Sequence, residues 1–144
     1  MHTDTLDDDA LREIMDRCHT IAVVGIKAGA DDDAYKVPKY MQAHGYRIVP
    51  ISPKLDAVLG ERAVTSLGAL REPVDLVNLF RAPQHLPAHT DEILALDPLP
   101  FAVWFQLGIR HDESAARLRA AGIRVVQDKC LMVEHARLAG RGHP

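Results

Sequence analysis

Five short apolar runs constrain this chain more than any other feature: TIAVV (Thr20–Val24), YRIVPI (Tyr46–Ile51), VDLVNLF (Val74–Phe80), FAVWF (Phe101–Phe105) and IRVVQ (Ile123–Gln127). Nearly continuous apolarity over a strand's length predicts strands buried on both faces. Helical patterns lie between them. Leu6–Cys18 puts Leu11, Ile14 and Met15 on one face, with Asp7, Asp8 and Asp9 in its first turn, where carboxylates suit the positive end of the helix. Ala34–His44 is closed by Gly45, with Pro38 tolerable in or next to a first turn whose amides lack helical partners. Ser52–Thr65 reads as a long loop around Gly60, and Ser66–Glu72 as one or two helical turns. Pro83–Leu96 is a helix opened by proline, Asp112–Ala121 a helix capped by Asp112 and stopped by Gly122, and Leu131–Leu138 a terminal helix. Alternating strands and helices predict an α/β fold: a Rossmann-like, doubly wound, five-stranded parallel sheet with helices on both faces and strand order 3-2-1-4-5. The length, 144 residues, suits one domain over 1–144, with 1–5 and 140–144 as flexible ends.

Composition narrows the function. A formal net charge of -3 opposes a general nucleic-acid surface, which would be strongly basic. No apolar run approaches the roughly 18 residues of a membrane helix. The opening MHTDTLDDDAL is acidic and polar, unlike a signal peptide, so the expected setting is cytoplasmic. Cys18 and Cys130 form no CxxC pair, which suggests neither a zinc site nor a redox motif but reduced thiols. His85 and His89 stand at helical i, i+4 spacing without a third ligand, and read as surface histidines. Glu134–His135 could do acid–base work, but a structural role is the simpler reading.

In open parallel sheets ligands bind beyond the carboxyl ends of the strands, so the loops there carry the candidate site. The first is GIKAGADDD. The dinucleotide fingerprint would need glycine where Lys27 stands, so the match is partial. Gly25 still permits a tight turn, Gly29 a close approach of backbone to ligand, and the amides opening the next helix can face an anion. Lys27 adds a cation. After the second strand, Ser52-Pro53-Lys54 offers a lysine where an NAD site would place an acid; that suits the 2′-phosphate of NADP or the 3′-phosphate of coenzyme A. A solvated surface lysine is the competing reading. Phe80-Arg81-Ala82-Pro83 can supply a stacking surface and an anion contact, or simply packing. Gln106, Leu107 and Gly108 can line a pocket floor. Cys130 stands before the last helix, where a cysteine can be reactive, against the alternative of an ordinary buried thiol.

With these loops the sequence resembles the small bacterial coenzyme A-binding proteins, whose domain is similar to the coenzyme A-binding domain of the succinyl-CoA synthetase alpha subunit. The resemblance runs from about Leu11 to Leu138 and is carried by IAVVG (21–25), AYKVPKYM (34–41), HGYRIVPISP (44–53), VLGERAVTSL (58–67), PVDLVNLFR (73–81), VWFQLGI (103–109), AAGIRVVQDKC (120–130) and EH (134–135). It implies a Rossmann-like fold and coenzyme A or an acyl-CoA as ligand. It implies the pyrophosphate over Gly25, Ile26, Lys27 and the loop through Gly29 to Tyr35 and Lys36. The 3′-phosphoadenosine end would lie at Lys54. Phe80 to Pro83 would flank the adenine or pantetheine, and Gln106 to Gly108 would close the cleft. Family members of this size lack the second domain and phosphohistidine segment of the synthetase, so ligase chemistry and catalytic residues are not implied. Members commonly carry Ser at the position of Lys27 and a Ser-Arg-Pro-Ser-like run where Asp31-Asp32-Asp33-Ala34 stand here. Those carboxylates would oppose a pyrophosphate, with Lys27 and Lys36 offsetting part of the repulsion, and Asp33 is the expected helix cap. The alternatives to a coenzyme A module are an NADP-dependent oxidoreductase-like protein and a Rossmann-like interaction domain with weakened ligand binding. Protein partners are left open.

Overall fold

A computed structural model describes residues 6–142. The elements are α1 (Asp8–Arg17), β1 (Thr20–Val24), α2 (Asp33–Ala43), β2 (Arg47–Ile51), β3 (Ala57–Val58), β4 (Glu61–Arg62), β5 (Leu76–Leu79), α3 (Leu86–Leu94), β6 (Ala102–Phe105), α4 (Asp112–Ala120), β7 (Arg124–Val126) and α5 (Leu131–Gly142). Of the ends expected to be flexible, 1–5 and 143–144 lie outside the described residues, while the backbone of 140–142 continues α5. No helix among the described residues is long and apolar enough to cross a membrane.

The five apolar runs form one parallel sheet, with helices on both faces, as a Rossmann-like α/β fold requires. Side chains alternate across it. Ile21, Val23, Ile48, Leu76 and Trp104 pack under α1, α2 and α5; Ala22, Val24, Val49, Val77, Leu79, Val103 and Phe105 pack under α3 and α4. Each fully buried side chain of this size stabilises by about 1.5–3 kcal/mol relative to leaving it in water. That is why the strands read as unbroken apolar stretches.

The strand order departs from the expected 3-2-1-4-5. It is β2-β1-β5-β6-β7, or 2-1-3-4-5 counting only the long strands. The physical reason is visible at Pro50. Its carbonyl accepts from the Val64 amide (2.8 Å), on the side of β2 away from β1. In an extended chain the N–H of a residue points to the same side as its C=O, so the amide proline lacks falls on that outer edge. A full strand there would lose a ladder bond, and proline keeps β2 at the edge. Among the described residues a single bridge, Ile51 to Val64, covers it. The segment expected as a long loop also contains the β3–β4 hairpin. Its turn residues Leu59 and Gly60 both have positive φ (57° and 77°), the twist that suits a tight hairpin.

Helix boundaries brought three further corrections. Asp32, not Asp33, is the N-cap of α2, and its side chain makes no capping bond. His111, not Asp112, caps α4, its Nδ1 accepting from the Ser114 amide (3.1 Å). Pro38 is the sixth residue of α2, beyond the first turn. It cannot donate to the Ala34 carbonyl, its normal partner one turn back. That carbonyl is satisfied instead by the Lys27 amide (3.2 Å), so the proline ties the loop after β1 to the helix that follows.

Candidate functional site

The order 2-1-3-4-5 puts the reversal between β1 and β5, and the loops leaving these two strands part to form a crevice. Gly25 makes the crevice possible. Its φ is +83°, and a Cβ on it would stand 2.5 Å from the Phe80 carbonyl oxygen. Glycine is therefore required both by the turn and by the closeness of the β5 exit.

The crevice opens into two compartments. The first, about 330 Å³, lies between β1, β2 and α3 and includes Gly25, Ile26, Lys27, Ser52, Pro53, Lys54 and Arg81 among its walls. The second, about 600 Å³, lies towards β6 and α5 and includes Gly25, Lys27, Phe80, Arg81, Ala82, Gln106, Leu107, Gly108 and Cys130. Gly25, Lys27 and Arg81 border both, so the cleft is continuous across the carboxyl edge of the sheet. Gly29, Tyr35 and Lys36 border neither. With Ala34 on the cleft, the next two residues turn away by about 100° each. Tyr35 packs against the core and under Lys39, whose Nζ is 5.6 Å from the ring centroid, while Lys36 is exposed. Gly29 sits under Asp32: a Cβ there would meet the Asp32 carboxylate at 2.9 Å.

Local bonds set the walls. The buried Ser52 accepts from the Lys54 and Leu55 amides through Oγ (3.1 and 3.3 Å), a side-chain turn that fixes the course of Ser52–Leu55. The Gln106 side-chain oxygen accepts from Asn78 Nδ2 and from the Leu131 amide (both 3.3 Å), which anchors the start of α5. Trp104 Nε1 donates to the Lys129 carbonyl (2.7 Å) and steadies the same turn. Cys130 is partly exposed at the head of α5, its carbonyl accepting from the Glu134 amide (3.0 Å). Cys18 is its opposite: fully buried, its thiol pushed up to about 12 chiefly by burial, with Asp75 adding and Arg17 opposing.

The charges along the cleft are mixed. Lys27, Lys54 and Arg81 supply three cations. Arg81 Nε is buried with no partner among the described residues, an arrangement that costs about 1–3 kcal/mol until an acceptor arrives. Facing them, Asp32 and Asp33 border the second compartment and Glu92 the first. Sequence reasoning missed several wall residues: Thr65, Ser66, His89 and Glu92 in the first compartment, Met132 and Val133 in the second. His89 does not pair with His85 as a metal ligand would; its Nδ1 meets Glu92 Oε1 at 2.8 Å, an i, i+3 pairing readable from the helix period. Thr65 and Ser66 reach the cleft only because the chain beyond β4 returns along β2, which the expected order excludes. His135 lies elsewhere, on the buried side of α5, with its Nδ1 2.9 Å from the Tyr40 hydroxyl. Burial, helped by the nearby His44, lowers its pKa below the ordinary histidine value.

Proteins similar in sequence share this fold. The model of the CoA binding domain family matches residues 19–136. The "Uncharacterized protein YneT" of Bacillus subtilis (strain 168) is 39% identical over 126 residues, covering 88% of this chain and 92% of that protein. A solved structure from Thermus thermophilus, "cell-free ID.343", superposes with a TM-score of 0.87 at 45% identity, covering 92% of this chain and 99% of that one. A hypothetical protein from Pyrococcus horikoshii OT3 gives a TM-score of 0.89 at 32% identity, covering 97% and 100%. With the family model spanning most of the chain, the chain belongs to the family of CoA-binding domains.

Proposed function

We propose that the protein binds coenzyme A in this cleft and holds it without catalysing a reaction. One observation carries the reading: three cations, Lys54, Lys27 and Arg81, border a continuous cleft whose centre is the Gly25 turn. The pyrophosphate lies over that turn and against Arg81, whose orphaned Nε gains an acceptor. The 3′-phosphate lies towards Lys54 in the first compartment, and the pantetheine arm enters the second past Gln106 and Cys130. The non-catalytic part rests on the separation of reactive groups. Cys130 borders one compartment and the His89–Glu92 pair the other, so no histidine among the described residues stands on the wall beside the thiol to activate it. Two free thiols are in keeping with a reducing, cytoplasmic setting.

Calorimetric titration of the native protein with coenzyme A, dephospho-coenzyme A, NADP and NAD tests the reading. The expected result is binding of coenzyme A that weakens without the 3′-phosphate, by about tenfold for one charge-assisted contact. Lys54→Ala should weaken coenzyme A and leave dephospho-coenzyme A nearly unchanged. Tighter binding of NADP than of coenzyme A would replace this reading with an NADP site. Binding of none of the four would favour an interaction domain that has lost its ligand, a role for which Asp32 and Asp33 on the cleft wall are the main support.

A further inference from the structure

The second compartment has an apolar lip that a nucleotide does not need. Leu107 is 65% exposed and Val133 52% exposed, well above the next exposed large hydrophobic residue described, Leu99 at 39%. Leu107 and Val133 both border this compartment, together with Ile109 and Met132, although they come from the loop after β6 and the first turn of α5. Exposed apolar side chains scattered singly call for no explanation; two brought together at the mouth of a cleft do.

The lip is held in place. The turn carrying Leu107 is closed by Ile109 N–H to the Gln106 carbonyl (2.9 Å) and by Gly108 N–H to the Asp128 carboxylate (2.7 Å). Asp128 N–H returns a bond to the Ile109 carbonyl (3.1 Å). Val133 stands on the helix start anchored by Gln106 and Trp104. The exposure is thus set by the backbone.

We propose that this lip receives the linear acyl chain of an acyl-coenzyme A, in preference to the free thiol. The inference rests on the coenzyme A reading above and deepens it. The occupant follows from continuity: the compartment shares Gly25, Lys27 and Arg81 with the one that holds the phosphates. A pantetheine arm entering past Gln106 delivers its sulfur towards the lip, and what extends beyond the sulfur meets Leu107, Ile109, Met132 and Val133. A pantetheine arm is rich in amides and gains little from such a surface, whereas methylenes gain directly. A fully buried methylene is worth about fourfold in affinity, and one covered on a single side about twofold.

The test is a calorimetric comparison of coenzyme A, acetyl-coenzyme A and hexanoyl-coenzyme A on the full chain and on Leu107→Ser/Val133→Ser. Both side chains are exposed, so the double variant should keep its fold, which circular dichroism and a thermal melt verify. The expected result is hexanoyl-coenzyme A about tenfold tighter than coenzyme A, acetyl-coenzyme A in between, and a ratio falling to about one in the double variant. Equal affinities in the unmodified protein overturn this inference alone, as does a chain-length preference that survives the double substitution. Binding of no coenzyme A species overturns both this inference and the reading on which it rests. If affinities are equal and sedimentation shows a dimer that the double substitution dissolves, the lip belongs to a second copy of the chain and the acyl assignment is wrong.

Discussion

The tyrosine hydroxyls packed against α5 and the arginine on the cleft wall differ in what they meet. Beneath α5 the hydroxyls are paired: Tyr46 OH donates to the Met15 carbonyl (2.7 Å) and Tyr40 OH meets His135 Nδ1 (2.9 Å). Tyr40 also stacks on His44 with ring centroids 4.0 Å apart, and both rings meet His135 edge-on. Along the cleft, Arg81 Nε and His89 Nε2 are buried without partners among the described residues. Orphaned atoms alone do not mark a site: Arg12 Nε, Asn78 Oδ1 and Thr90 Oγ1 also lack partners, and none of these residues borders the cleft. The lesson lies in the combination. A polar group that is paired contributes to folding; a cation left unpaired on a cleft wall is placed for something that arrives later.

That contrast can be broken most severely at Gly25. Gly25→Ala forces a left-handed φ on alanine and drives its Cβ into the Phe80 carbonyl. The expected cost is about 3 kcal/mol of stability, with loss of coenzyme A binding, measured by urea denaturation and titration. Arg81→Ala should separate the two properties. Affinity for coenzyme A should fall about thirtyfold, while the melting temperature holds or rises, because an unpaired donor has been removed. A melting temperature that drops with the affinity would make Arg81 a structural residue. Tyr46→Phe should show the reverse pattern, a stability loss of about 1 kcal/mol as the Met15 carbonyl loses its donor, with unchanged affinity.

Smaller effects sharpen the same comparison. The folded pKa of His135 is lowered, so the unfolded histidine binds a proton more readily than the folded one. Its contribution to stability is complete above the ordinary value of 6.5 and is lost as pH falls from there towards the folded pKa. Melting temperature should therefore decline below about pH 6.5, and His135→Gln should flatten that decline. The smallest change concerns the acidic wall. Asp32→Asn should tighten coenzyme A by a few-fold, since one opposing carboxylate in a water-like setting is worth up to about 1 kcal/mol. Unchanged or weaker binding in that variant would mean that Asp32 does not oppose the phosphates.

Several features of the site could be read from the residue order because they are local. The end of each buried run marks the start of a carboxyl-edge loop, so Gly25, Ser52, Phe80, Gln106 and Cys130 are legible in the residue order. Tyr35 and Lys36 adjoin the same loop in sequence, but the helical rotation of α2 takes them off the wall. Thr65, Ser66, His89 and Glu92 depend on which strands are neighbours, and strand neighbours are chosen by long-range packing. Pro50 held a clue to that choice, because a proline whose missing amide faces outward belongs on an edge, but its direction is known only once β2 is paired.

By itself, then, the sequence determined an α/β domain of buried parallel strands, because unbroken apolar runs of strand length have few other places to go. It also determined the glycine turn and the gathering of the loops that carry Lys27, Lys54 and Arg81 at one edge, since every parallel strand ends there. Tertiary structure alone decided the strand order. It also decided the closure of Gly25 against Phe80, the use of the Ala34 carbonyl freed by Pro38, and the placing of Leu107 and Val133 on one compartment. These are contacts between segments far apart in the chain, or choices between partners of similar local preference. Their energies come from packing and hydrogen-bond geometry that exist only when the whole sheet is assembled.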